Sequence, residues 1–473
     1  MKKLLLTLLV AMLTLPSFAR DIEYTYEGQT LTYTVIDEDA KTVKTKAGEY
    51  LTPGNNVSGD LVIPSQIENG EEKYTVTEIG EQAFSDCRSL TSVNIPESII
   101  EIGEYAFYDC RSLTSVNIPE SIIEIGQYAF SDCRSLTSII IPDSVTNISY
   151  STFSDCRSLT SIVIPESVTE IGDYAFYNCS GLTSVNIPES VTVIGGHAFR
   201  ACSSLTSINI PDGVTSIEYG TFYDCSSLIS IKIPDGVTSI EMYAFYDCSS
   251  LTSIKIPDSV TYIKSCAFTN CSSLTSINIS NGVTYIGSYA FRNCDSLTSI
   301  DLPDSVTSIG HGTFMYCSSL ASINIPDGLT SIGGYAFVDC SDLTSIKIPY
   351  GVTSIGRGVF SGCSGLTSIT YLANEPIEGD PDIFDSSTYE TATLYMSEAG
   401  KDKGKDIDPW KNFNNIKVYD PASVDEIFTD FNEDAPYEIF NLDGVKVADS
   451  TENLPSGIYI LRQGTLAKKI AVK

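Results

Sequence analysis

The chain holds two histidines and one tryptophan, and its 28 lysines and arginines face 60 aspartates and glutamates. Each shortage excludes a class of function. At a formal net charge of −32 the basic footprint that neutralises phosphate is missing, so nucleic acid and anionic bilayers are not expected partners. Two histidines leave little material for metal binding or for proton transfer near neutral pH. His197 and His311 fall at offset positions in different repeats and are read as structural or solvent-facing. No glycine-rich phosphate loop or dinucleotide fingerprint follows a strand, and no nucleophile, base and orienting acid converge. The chain is therefore not expected to be an enzyme, and no catalytic residue, metal ligand or cofactor is nominated. Beyond residue 19 no apolar run is long enough to cross a membrane. What the sequence does have is 42% apolar residues over 473 positions, ample for a buried core.

Thirteen of the fourteen cysteines recur every 23 residues, from Cys87 to Cys363. A Phe stands three residues before each (Phe84 through Phe360) and a Leu three residues after (Leu90 through Leu366). The unit reads S-L-T-S-I-x-I-P-D-S-V-T-x-I-G-x-Y-A-F-x-x-C-S, a leucine-rich-repeat period with one short strand expected per coil. The apolar side chains of one copy bury too little to offset the entropy of ordering it, so copies must stack and share interfaces. The expected fold is mainly β: a solenoid of 23-residue coils with a parallel sheet, terminal caps and a small carboxyl-terminal β domain. Residues 88–110 and 111–133 differ only at Glu104/Gln127 and Tyr108/Ser131, a mark of duplication.

The period sets the expected boundaries. Residues 1–19 pair Lys2 and Lys3 with an apolar run from Leu4 to Leu15 and end on small residues, which reads as a secretory signal peptide. Residues 20–60 form an amino-terminal cap, 61–371 the solenoid, 372–421 a carboxyl-terminal cap and 422–473 a β-rich sorting or attachment domain. Leu61-Val62-Ile63-Pro64 and Ile79-Gly80-Glu81-Gln82-Ala83-Phe84 look like one repeat split by an insertion. Trp410 and Phe413 are expected to seal the last coil.

These repeats resemble the BspA-like leucine-rich repeats of bacterial surface antigens, a type also seen in treponemal proteins. L-T-S-I-x-I-P, I-G-x-x-A-F and F-x-x-C recur together in register over about 310 residues. The resemblance implies an exported, surface-displayed interaction protein, some of whose relatives adhere to host matrix or plasma proteins and to other bacteria. Residues 437–473 carry strand-like pieces around Asp443-Gly444 and Pro455-Ser456-Gly457 and resemble the sorting domain of type IX secretion cargo. That would make secretion and surface-attachment machinery a partner; the alternative is an ordinary terminal β domain.

Strand alternation sends the two Ile of L-T-S-I-x-I inward, and the Ser and the variable x outward. The Ser stripe is uniform. The x stripe changes: Asn94, Asn117, Ile140, Val163, Asn186, Asn209, Lys232, Lys255, Asn278, Asp301, Asn324 and Lys347. Its polar members, Asn94, Asn117, Asn186, Asn209, Lys232, Lys255, Asn278, Asp301, Asn324 and Lys347, are the candidate ligand-binding residues. The expected partner is an extracellular protein or glycan, or another bacterial cell; a surface spacer without a specific ligand is the alternative. The acidic columns, after each Pro and before each Cys, are read as turn chemistry rather than a calcium site. Arg88, Arg111, Arg134 and Arg157 are expected to offset the early Asp column. The periodic cysteines are expected to be reduced and buried, with Cys266, in the slot of Tyr105 and Tyr128, facing outward.

Overall fold

The structure, a computed structural model, describes residues 20–46, 57–419, 438–440, 446–448, 457–463 and 466–472. The signal-peptide reading of residues 1–19 lies outside them. The chain divides into two compact units, Met1–Leu297 and Thr298–Lys473.

In the first unit each coil is tied to its neighbours on three sides. The first side is the anticipated strand. From Leu90–Asn94 to Ser276–Asn278 these short strands run parallel and in register, as in Ser138 opposite Ser161 and Ile140 opposite Val163. The second side corrects the expectation of one strand per coil. Val-Thr-x-Ile-Gly makes its own two-residue strand, so that Glu101–Ile102 pairs with Glu124–Ile125, and Ser239–Ile240 with Tyr262–Ile263. The Gly that follows donates to the Ile carbonyl one coil back, as Gly103 N does to Ile79 O at 2.7 Å. That stretch also alternates apolar and polar residues, but two residues are too few for periodicity to announce a strand.

The third side is a turn with two left-handed residues four apart. Tyr105 and Asp109 (φ 53° and 57°), Tyr174 and Asn178, and Tyr243 and Asp247 all lie at positive φ. Asp and Asn tolerate this conformation, which explains the column before Cys as turn chemistry. Tyrosine tolerates it less well, and where the first slot is glycine, as at Gly220, a ring from the preceding coil fills the space. A Cβ at Gly220 would lie 2.5 Å from the His197 ring. Backbone donors here reach forward, Phe84 N to Ala106 O and Asp86 N to Tyr108 O. Three-sided bonding satisfies backbone groups that a lone coil would leave open.

Identical residues fall one above another inside. Phe84 and Phe107 stack at 5.3 Å and 12°, and the column continues ring on ring to Phe291. Beside it the periodic cysteines are buried thiols, and from Cys110 to Cys294 each donates to the Phe carbonyl of the preceding coil: Cys110 to Phe84 at 3.1 Å, Cys248 to Phe222 at 3.1 Å. Burial pushes the thiols from Cys87 to Cys271 up, Cys87 to about 11 and Cys202 to about 12. They are protonated packing groups. Cys266 is half-exposed.

At the amino-terminal end the ladders are met by antiparallel pairs. Asp21–Tyr26 pairs with Gln29–Asp37, which pairs with Thr42–Thr45, and that strand joins Glu72–Ile79 in parallel. Gly59–Val62 lies parallel to Leu90–Asn94 with Leu61 opposite Val93, while Ile79 lies opposite Ile102. The hairpin of Gln66–Asn69 and Glu72–Ile79 is the insertion between these two half-coils. Gln29 Nε2 donates to Asp60 O at 3.0 Å, occupying an edge carbonyl of that first strand.

The second unit has the same coils and then drifts from the period. Ser345–Ile348, Ser368–Tyr371, Thr393–Met396 and Asn415–Val418 form one parallel sheet, so the ladder continues two strands past Tyr371. The short helices Ser386–Thr391 and Glu398–Gly404 lie between those strands. Phe384 extends the ring column, stacking on Phe360 at 5.1 Å, and Phe413 meets it edge-on at 5.3 Å. An edge-on ring offers no face for another, which ends the stack. Trp410 is fully buried against Tyr371 and donates its indole N–H to Ile377 O at 2.8 Å. Glu438–Phe440, Lys446–Ala448, Gly457–Gln463 and Leu466–Val472 form a separate four-stranded antiparallel sheet.

Candidate interaction face

The outward side of the first ladder presents three columns: Thr, Ser and x. Many Thr hydroxyls are committed: those of Thr114, Thr160, Thr206, Thr252 and Thr275 donate to the carbonyl at the same position one coil back, as Thr114 does to Thr91 at 3.0 Å and Thr275 to Thr252 at 3.1 Å. Ser and x carry no such obligation. In the first unit Asn94, Asn117, Asn186, Asn209, Lys232, Lys255 and Asn278 are all exposed. Asn94 lies opposite Asn117, Asn209 opposite Lys232, and Lys255 opposite Asn278. In the second unit Asp301 and Asn324 are exposed and opposite one another, and Lys347 is half-buried opposite Thr370.

The lysines differ. Lys347 bends to Asp327 at 3.2 Å, and Lys232 reaches Asp212 at 3.6 Å with both side chains more than two-thirds exposed. Among the described residues Lys255 forms no ion pair, and the side-chain amides of the stripe asparagines make no hydrogen bond within the chain. Their amides are open to water or to a ligand.

Sequence reasoning missed two parts of this surface. Asp60 stands in the Ser column opposite Ser92 and takes hydrogen bonds from Ser92 at 2.6 Å and Thr91 at 3.0 Å. Those bonds hold its carboxyl below the usual range. The offset between Asp60 and Ser92 is not 23, so periodicity alone hides it. The second omission is an exposed tyrosine pair on the second ladder, Tyr262 opposite Tyr285. Ile140 and Val163, which the sequence places in the outward stripe, are exposed by 65% and 57% in a stripe otherwise polar.

Other clusters are internally balanced. Arg88 bridges Asp86 and Asp109, Arg111 binds Asp109, Arg134 binds Asp132 and Arg157 binds Asp155, as charge balance anticipated. Burial works to raise the Asp109 carboxyl, but the Arg111 hydrogen bond and the Arg88 charge outweigh it and hold it low. Tyr105 and Tyr128 stack at 4.5 Å, and His197 lies between Tyr174 at 4.7 Å and Tyr219 at 4.9 Å. Burial pushes the His197 imidazole down. Among the described residues no group of three or more His, Cys, Asp or Glu is placed to hold a metal ion, and no helix is long and apolar enough to cross a membrane.

Stacked coils with a repeated polar face define a leucine-rich-repeat solenoid. The family model described as the BspA type leucine rich repeat region matches residues 65–183, 169–295 and 261–389, more than half of the chain, and the protein belongs to that family. A leucine-rich repeat protein of Bacteroides ovatus, known from its crystal structure, is 29% identical, over 82% of this chain and 98% of its own, with a TM-score of 0.60. A leucine rich cell surface protein of Faecalibacterium prausnitzii is 30% identical over 74% of this chain and 94% of its own (TM-score 0.45). A leucine-rich repeat protein of T. pallidum is 28% identical over 48% of this chain and 90% of its own (TM-score 0.34). No curated protein matches the chain.

Proposed function

We infer that this is a secreted or cell-surface interaction protein, an adhesin that binds extracellular proteins, glycans or other cells through the x stripe of its coils. One observation carries the reading. The side-chain amides of the stripe asparagines are exposed and, among the described residues, unbonded, while the Thr114, Thr206 and Thr275 hydroxyls beside them are spent on neighbouring coils. A polar group held on a rigid scaffold with no internal partner is prepared for an external one. Export follows from reading residues 1–19 as a signal peptide, and attachment from reading the four-stranded carboxyl-terminal sheet as a type IX sorting domain. Family membership supports a binding scaffold and names no reaction.

Alanine at Asn186, Asn209, Lys232 and Lys255 together should weaken binding in a screen of matrix proteins, glycans and whole cells, leaving the thermal melt unchanged. Unaltered binding would exclude the stripe. If removal of two whole coils also leaves every interaction intact, the array is a spacer rather than a receptor.

A further inference from the structure

We propose that Ile140 and Val163 form an anchoring window for an extended, basic protein segment; the proposal rests on the stripe being the binding face and names its partner. The two side chains are direct neighbours across adjacent strands, exposed by 65% and 57%, and bounded in the stripe by Asn117 and Asn186. An aliphatic pair standing in water beside asparagines gains free energy when covered. Three residues further along the same coils, beyond the buried Ile-Pro step, stand Asp143 and Glu166, with Glu120 and Glu189 one coil to either side. All four carboxylates are exposed, and among the described residues none makes an ion pair. Among the described residues these carboxylates take hydrogen bonds only from backbone amides: Asp143 N donates to Glu120 and Asp212 N to Glu189, each at 3.3 Å. Coils repeat at about 4.8 Å, so the row carries one unpaired negative charge per coil at less than a Debye length.

This combination selects among partners. A second copy of a chain with net charge −32 would set acid against acid. An anionic membrane would be repelled in the same way. A glycan would seek the open face of an aromatic ring, but the stripe holds none, and the exposed pair Tyr262 and Tyr285 lies on the second ladder. A protein segment with apolar residues to cover the pair and lysine or arginine to run along the acid row satisfies both features.

The probe is a fluorescent synthetic peptide alternating leucine with lysine, titrated against the whole purified chain by anisotropy. Controls replace every lysine with glutamate or every leucine with serine. Ile140→Asn with Val163→Asn restores the residue found elsewhere in the stripe, and each single change gives the same readout should the double variant unfold. The double variant should raise the dissociation constant roughly tenfold. Glu166→Gln with Glu189→Gln should flatten the salt dependence, since two charges leave the row. Equal binding by the asparagine variant, or equal binding of the lysine and glutamate peptides, overturns the window. If the fourfold alanine change abolishes extracellular binding while the asparagine variant has no effect on the peptide, the window falls and the broader reading stands. Loss of neither defeats both.

Discussion

Two columns of asparagine run through the first unit and behave in opposite ways. In the turn before cysteine, Asn178 donates to Asp155 at 2.7 Å, Asn270 to Asp247 at 2.6 Å and Asn293 to Asn270 at 2.6 Å. In the stripe, the side-chain amides of Asn186, Asn209 and Asn278 find no partner in the chain among the described residues. The residue type and the 23-residue period are the same. What differs is the backbone. The turn asparagines sit at positive φ, from 56° to 64°, and each can reach the residue one coil back. The stripe asparagines project from a flat strand into solvent. One column is architecture and the other is surface, and mutation should separate them.

The largest contrast should come from pH. Burial raises the column thiols from Cys87 to Cys271, so the folded chain keeps protons past the ordinary thiol pKa near 8.5. Their contribution is whole below about pH 8.5 and is lost as pH rises toward the folded values, about 12 for Cys202. Denaturant midpoints should therefore fall steeply from about pH 9 upward. A native thiol titration at pH 8 should modify Cys266 alone, against all fourteen in denaturant. Next in size, Phe222→Ala opens a hole between Phe199 and Phe245 and should cost about 3–5 kcal/mol in equilibrium unfolding. Asn270→Ala removes one hydrogen bond to Asp247 and one from Asn293 while keeping a left-handed residue, for roughly 1–3 kcal/mol. Ala201 occupies the same slot at φ 60°, so the variant should still fold. Smallest of all, Asn186→Ala should shift stability by less than about 0.5 kcal/mol. A stability loss there equal to that of Asn270→Ala would erase the distinction between the columns.

Much of the fold was legible because it was written repeatedly. The interval between cysteines, with Phe and Leu at fixed offsets, gave the coil and its parallel stacking. The alternation of Leu-Thr-Ser-Ile-x-Ile gave the outward stripe. The second ladder was not legible, since its strands are two residues long. Nor was the continuity of the ring column. At Tyr150 and Tyr219 the aromatic residue moves one position along the chain and a small residue takes the left-handed slot, yet the rings still meet those of Tyr128 and Tyr243 at 5.2 and 5.5 Å. Sequence registers that shift as a substitution; space registers a ring in the same column. Of the candidate site, the positions were readable and the pairing was not. Lys232 and Lys347 turn toward acids twenty residues earlier, whereas Lys255 does not.

The sequence by itself determined that coils must stack, because no single copy can bury enough surface to hold its own order. It also determined which side chains point inward, since alternation along a strand leaves only two faces. Tertiary structure decided which of the repeated polar groups are already engaged. That depends on distances between residues 20 to 26 positions apart, which period alone does not give: a thiol lies within reach of a carbonyl, and an amide in the stripe lies within reach of nothing but solvent.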